Sequence, residues 1–238
     1  MNAATMRPAQ IPASVRIYAV GDVHGMADLL AGTFARIDRD LAERPVPVAI
    51  EVYLGDLVDR GPDSASVLRM LIARKAEREV VCLAGNHELM MMRALNDLDA
   101  LEEWLTFGGV ATLESFGMMP DAIRVDATTQ TAMRRRFQAP IADFLMSLQR
   151  SFAIGDYVFV HAGLRPGVPF ALQDIDDLTG IRGEFLTSEQ HFGFVVVHGH
   201  TPCASVEIRS NRINIDTGAY HTGVLTCLAF EADGIRSV

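Results

Sequence analysis

The chain alternates between short apolar runs that stop on a glycine and longer stretches with helical spacing. Residues 15–20 form an apolar run that ends in Gly21-Asp22. Apolar side chains then recur at Leu29, Leu30, Phe34, Ile37 and Leu41, the spacing of one helix face. Arg44-Pro45-Val46-Pro47 breaks that helix, and a second apolar run at 48–54 ends in Gly55-Asp56. Asp63 or Ser64 can cap a helix that reaches about residue 78, and a third run at 80–84 stops at Gly85-Asn86-His87-Glu88. The order so far is β-α-β-α-β, with a polar cluster after each strand. In open α/β sheets, sites form beyond the carboxyl ends of strands.

Residues 91–150 read as a helical insertion over one end of the sheet, from Leu95, Leu98, Leu101, Trp104 and Leu105, then Phe137, Ile141, Phe144, Leu145 and Leu148. The run 104–109 reads as a helix end with a glycine stop. Strands resume at 157–160, ending in His161, and at 194–197, ending in His198-Gly199-His200. Residues 206–208 and 212–215 flank Ser210-Asn211 as a hairpin, and 224–230 is the last strand. Residues 1–14, with Pro8 and Pro12, read as an N-terminal tail, and 15–238 as one domain.

Hydrophobic residues make up 49% of the 238, enough for a sizeable core. A net charge of -9 argues against nucleic acid held on a broad basic surface, while leaving room for a local phosphate pocket. Arg134-Arg135-Arg136 then reads as a solvated helix face, and Met90-Met91-Met92 as packing. Cys82, Cys203 and Cys227 are an odd, unpaired set and read as reduced thiols. No apolar stretch reaches the roughly 18–20 residues of a membrane span, and residues 1–12 lack a signal-peptide pattern. The expectation is a cytoplasmic protein without membrane or nucleic-acid partners.

The densest chemistry is Gly55-Asp56-Leu57-Val58-Asp59-Arg60-Gly61, two carboxylates and a guanidinium directly after a strand. Carboxylate suits a divalent metal and guanidinium suits phosphate. Five expected strands end in metal-compatible groups: Asp22 and His24; Asp56; Asn86 and His87; His161; His198 and His200. Three oxygen donors with three imidazoles are too many for one catalytic ion and suit two ions sharing a carboxylate. Mixed oxygen and imidazole ligation favours manganese, iron or zinc over magnesium or calcium.

Gly21-Asp22-Val23-His24-Gly25, the heptad at 55–61 and Gly85-Asn86-His87-Glu88 resemble the three signature motifs of the phosphoprotein phosphatase (PPP) family of calcineurin-like metallophosphoesterases. His161-Ala162-Gly163 and Gly199-His200-Thr201 resemble its two later histidine motifs, in the same order. Chain length, residues 85–91 and Ile181-Arg182-Gly183-Glu184-Phe185 resemble the bacterial and phage branch that includes lambda phosphatase. The resemblance implies an α/β fold of two mixed sheets flanked by helices, with a dimetal site at the strand ends. It implies that Asp22 and His24 bind one metal, Asp56 bridges, and Asn86, His161 and His200 bind the other. His87 is then the general acid, oriented by Asp59, and Arg60 and Arg182 hold the phosphoryl oxygens.

The function this implies is a dimetal serine/threonine protein phosphatase, manganese first among its metals, attacking by hydroxide held between the ions. The substrate would be a phosphorylated protein or small phosphoester. The alternative is a symmetrical bis(5'-nucleosyl)-tetraphosphatase, which shares these motifs; a non-catalytic phosphate-binding module is the third reading. Three further positions keep bland readings. His198 is expected to be structural, His191 and His221 to be surface groups, and Asp216 either orients a ligand histidine or shapes a turn.

Overall fold

The structure, a computed structural model, describes residues 9–232 and 234–238. Its elements run β1 (Val15–Val20), α1 (Ala27–Glu43), β2 (Val48–Tyr53), α2 (Ser64–Glu77), β3 (Glu79–Cys82) and α3 (Asn86–Ala94). Four more helices follow: α4 (Leu98–Trp104), α5 (Val110–Ser115), α6 (Ala127–Arg136) and α7 (Ile141–Met146). The chain then forms β4 (Phe152–Ile154), β5 (Tyr157–Phe159), α8 (Ile175–Gly180), α9 (Gly183–Leu186) and β6 (Val195–His198). It ends with β7 (Glu207–Ile208), β8 (Arg212–Asn214), α10 (Ala219–Thr222), β9 (Cys227–Glu231) and β10 (Gly234–Ser237).

The strands form two mixed five-stranded sheets, ordered β10-β9-β1-β2-β3 and β4-β5-β6-β8-β7. The expected two-sheet α/β architecture is therefore present. Within the first sheet β1, β2 and β3 are parallel, and within the second β5, β6 and β8 are parallel. Parallel pairing brings the carboxyl ends of successive strands to one edge. The side-chain period of two then sorts the core. Ile17 and Ala19 of β1 point between the sheets, where they join Val52, Phe159, Val197, Ile213 and Phe230. Tyr18 and Val20 point the other way, into a core shared with Leu30, Ile37, Leu68 and Trp104 of the helices. A third, smaller core packs Val158 and Val196 under Leu178 and Phe185.

Three local expectations change. Residues 1–8 of the expected tail lie outside the described residues, but its remainder packs: Ile11 is buried and its N–H donates to Ala232 O. The glycine stop at 108–109 ends nothing, because a π-type turn (Leu105–Gly109) leads straight into α5. The single closing strand is a β9–β10 hairpin.

One buried ion pair ties helices to the first sheet. Arg74 of α2 meets Glu51 of β2 and Asp38 of α1, each at 2.7 Å, and its guanidinium lies over the Phe34 ring. Those bonds from Arg74 hold the Asp38 carboxyl below its usual range. Glu51 is almost wholly buried, so losing its cation strands a charge. Arg74→Met should lower unfolding free energy by about 3–5 kcal/mol in urea titrations. Arg209→Met, at the exposed pair with Glu207, should cost less than about 1 kcal/mol.

Candidate dimetal site

Five strand ends converge at the rim where the two sheets meet. The approach is close enough to exclude side chains at two glycines. A Cβ on Gly199 would lie 2.0 Å from Asp22 Oδ1, and one on Gly85 would lie 2.2 Å from Asp56 Oδ1. The second sheet is bonded to the first at this rim: His161 Nδ1–H donates to Leu54 O, and the His200 N–H donates to Asp22.

Asp56 stands at the centre, 2% exposed. Its Oδ2 lies 3.4 Å from His24 Nε2 and 3.9 Å from His87 Nε2, while its Oδ1 lies 3.3 Å from His161 Nε2. Burial would raise its pKa, but His161, His87 and His24 hold it well below the usual carboxylate range. The same pairing lifts His161 to about 10 against its own burial, with Asp56 the chief cause. Around Asp56 the other carboxylates go the opposite way. Asp22 is raised well above its usual value by burial and by the charges of Asp216 and Asp56. Glu88 is raised to about 7 by burial and by Asp56.

The donor set fits metal ions. Among the described residues, two triads of donor atoms each lie within 4.8 Å of one another: His24, Asp56 and His87, and Asp56, His161 and His200. Asp56 belongs to both and presents a different oxygen to each. His24 and His161 each donate Nδ1–H to a backbone carbonyl, Val58 O and Leu54 O, both at 2.8 Å, which turns Nε2 toward the centre. His200 Nε2 is buried without a hydrogen-bond partner among the described residues. Burial, then the neighbouring His161, lowers His200 to about 3, so its ring is a neutral donor. Crowded, mutually repelling carboxylates and the neutral His200 ring are stabilised by cations placed among them.

The remaining expected ligands sit beside these triads. Asn86, at the start of α3, places Oδ1 3.3 Å from His161 Nε2. Asp22 accepts the His200 N–H through both oxygens, at 3.0 and 3.3 Å. His87 Nδ1 lies 2.7 Å from Asp59 Oδ2. Burial lowers the His87 imidazole, but Asp56 and Asp59 more than offset it and leave the pKa raised. Arg60 directs Nη1 to His24 Nε2 at 3.1 Å and Nη2 to His87 Nε2 at 3.0 Å. Arg182 does not join them: it is exposed, its side chain makes no hydrogen bond among the described residues, and it reaches the site as a positive charge that helps lower His200.

The bland readings are resolved in part. His198 is wholly buried, contacts Gly199 O and Arg212, and packs against Phe185, outside both triads. Asp216 shapes a turn by accepting the Gly218 N–H. His191 and His221 are exposed.

Three residues that matter here carry no expectation from the sequence. Glu88 accepts the N–H groups of Asp56, Leu57, Val58 and Gly85 at 2.7–3.1 Å, clamping the turn that carries Asp56. An acidic residue three places into a helix is a capping signal that could have marked it. Trp104 and Thr112 donate to Asp59 at 2.8 and 2.6 Å. They come from the helical insertion, 45 and 53 residues away, and no local pattern marks them.

A family model for calcineurin-like phosphoesterases matches residues 15–233, and the chain belongs to that family. Its members are metal-dependent phosphoester hydrolases, in accord with the clustered donors. Among curated relatives, the asymmetrical bis(5'-nucleosyl)-tetraphosphatase PrpE of Halalkalibacterium halodurans is 27% identical, over 89% of this chain and 88% of the relative. A symmetrical bis(5'-nucleosyl)-tetraphosphatase of Cellvibrio japonicus is 29% identical over 59% of this chain and 52% of its own. The crystal structure of a candidate diadenosine tetraphosphatase superposes with a TM-score of 0.64 at 21% identity, covering 97% of both chains. Among the described residues no helix is long and apolar enough to cross a membrane.

Glu88→Ala leaves four buried N–H donors without an acceptor, each costing about 1–3 kcal/mol. Manganese titration by calorimetry should show at least about tenfold weaker binding, alongside a lowered thermal midpoint. Unchanged manganese affinity would mean that Asp56 holds its place without the clamp.

Proposed function

We propose that this chain is a dimetal phosphohydrolase acting on dinucleoside polyphosphates of the diadenosine tetraphosphate class. The observation that carries the hydrolytic reading is the Asp56 carboxylate, with one oxygen toward His24 and His87 and the other toward His161. The substrate class is supported by the tetraphosphatase names of relatives that match across most of both chains. They back the tetraphosphatase alternative better than the serine/threonine phosphatase expected from the motifs and their lambda-like branch. Manganese is the proposed metal, since two carboxylates, an amide oxygen and three imidazoles make a mixed donor set.

When bound, the ions supply an activated water and offset phosphate charge. Asp22, His24 and Asp56 would hold one, and Asp56, Asn86, His161 and His200 the other. Arg60 presents two N–H groups side by side, the arrangement that pairs with two phosphoryl oxygens. Water that has given a proton to solvent would attack phosphorus, the bond to the leaving oxygen would break, and that oxygen would take a proton from His87 Nε2, which solvent then replaces. Asp59, fixed by Trp104 and Thr112, holds His87 Nδ1–H and keeps the ring cationic enough to give that proton. Arg182 lies at the exposed side, where it can meet a more distant phosphate of the same substrate.

A manganese-supplemented panel of diadenosine tetraphosphate, phosphoserine and phosphothreonine peptides tests the reading. Higher kcat/KM for the tetraphosphate is expected; a preference for the peptides would restore the protein phosphatase reading. Product chromatography then reads the cleavage position, AMP with ATP for asymmetrical and two ADP for symmetrical cleavage.

The leaving group gives a second test. A polyphosphate leaves as a weak base and an alkoxide as a strong one, so only the latter depends heavily on a proton donor. His87→Asn should cut kcat for an alkyl phosphate by about 10²–10⁴-fold and that for diadenosine tetraphosphate by much less. Asp59→Asn removes one of the interactions that raise His87. A proton donor is active below its pKa, so the alkaline limb of kcat should move to lower pH in that variant. An unmoved limb would remove Asp59 from this role.

A further inference from the structure

We infer that Tyr220 is a positioning residue for Arg60: its ring holds the guanidinium in place while a phosphoester is bound. The inference rests on the phosphohydrolase reading of the site. Among the described residues the Arg60 guanidinium contacts three rings in the cluster. Two are imidazoles, met at His24 Nε2 and His87 Nε2. Both have another task in the proposed reaction, the first facing a metal ion and the second the leaving oxygen. The third is the Tyr220 ring, whose centroid lies 5.0 Å from Arg60 Cζ. It is the one contact that neither task removes. A guanidinium over an aromatic face gains from the ring's charge distribution and still presents its N–H edge outward.

The ring is itself fixed. It meets His24 edge-on with centroids 5.3 Å apart, so it touches a residue of the first triad as well as the arginine. Its turn is tied at both ends. Gly218 and Gly223 have φ of 67° and 73°, bracketing the four residues of α10. Asp216 accepts the Gly218 N–H, Thr217 donates to Val224 O, and Thr222 donates to Thr217 O. The residue as a whole remains 40% exposed, and its hydroxyl makes no hydrogen bond among the described residues. The apolar face and not the hydroxyl is the working part. The guanidinium's backbone is held separately, by the Arg60 N–H donating to Gly108 O. Main chain and side-chain tip are thus anchored by different segments, and Tyr220 governs the tip.

The test is a double-mutant cycle on the manganese-loaded full chain, using Tyr220→Phe, Tyr220→Leu, Arg60→Ala and the Arg60→Ala/Tyr220→Leu pair. Substrates are para-nitrophenyl phosphate and diadenosine tetraphosphate, and inorganic phosphate binding is measured by calorimetry. Tyr220→Leu should raise KM and weaken phosphate binding about tenfold, with kcat changing less. Tyr220→Phe should stay within about twofold of wild type, because the ring face is kept. In the Arg60→Ala background, Tyr220→Leu should add no further loss. Equal losses with and without Arg60, or a Phe variant as impaired as Leu, would overturn the inference while leaving the hydrolase reading intact. A wild-type enzyme that hydrolyses neither substrate would overturn both. Thermal midpoints and manganese content matching wild type exclude misfolding as the cause.

Discussion

The site depends on one buried carboxylate remaining charged. Asp56 is sealed from water, and a lone carboxylate there would take up a proton. Three imidazoles and the backbone N–H of His87 prevent it. Its charge in turn sets that of its neighbours: it raises His161 and His87, and it adds to the repulsion that raises Asp22 and Glu88. Removing the charge would therefore reset protonation across both sheets' edges.

Holding such a cluster requires backbone that the chain would not choose. His24, Asp56, Asp59, Arg60 and His200 all have positive φ, between 44° and 72°. They are five of the six non-glycine residues in that region among the described residues, so the strain is concentrated at the site. Each costs of order 1–3 kcal/mol and persists only where the surroundings over-determine it. Here the surroundings are visible. Glu88 satisfies consecutive N–H groups of the Asp56 turn, Ser64 and Thr112 accept the Asp59 N–H, and Gly108 O accepts the Arg60 N–H. The cores between and around the sheets supply the stability that these turns consume.

The strand ends were legible in the sequence because each obeys a local rule: an apolar run, a glycine, then a ligand-type side chain. Asp22, His24, Asp56, Asn86, His87 and His200 follow it, His161 comes directly after its apolar run with Gly163 two places on, and the structure gathers them at one rim. The two-sheet arrangement came from the family resemblance; in the structure the alternation in β1 faces two cores. What was not legible depends on contacts across long separations. Trp104 and Thr112 look like ordinary helix residues until tertiary packing aims them at Asp59. Gly108 looks like a stop signal, yet a Cβ there would come within 2.9 Å of Arg60 N, and its φ of 113° lets the helix kink and continue. Arg182 satisfied a short motif, but it stands on an exposed turn and touches the cluster only through its charge on His200.

That division between local and distant signals also separates chemistry from substrate. The groups that would hold metals and phosphate come from strand ends, whose sequence is fixed by what a dimetal centre needs. They would serve either a phosphoprotein or a dinucleotide, because both present at least two non-bridging phosphoryl oxygens to Arg60. Discrimination must come from surfaces that meet the rest of the substrate: the π-type turn over Arg60, the exposed turn bearing Arg182, and the loop carrying Tyr220. These belong to the insertion, to the segment before β6 and to the α10 turn, the parts of the chain whose local patterns say least. A motif reading of such a family therefore reaches the reaction before it reaches the substrate. The tetraphosphatase reading had to come from similarity along most of the chain.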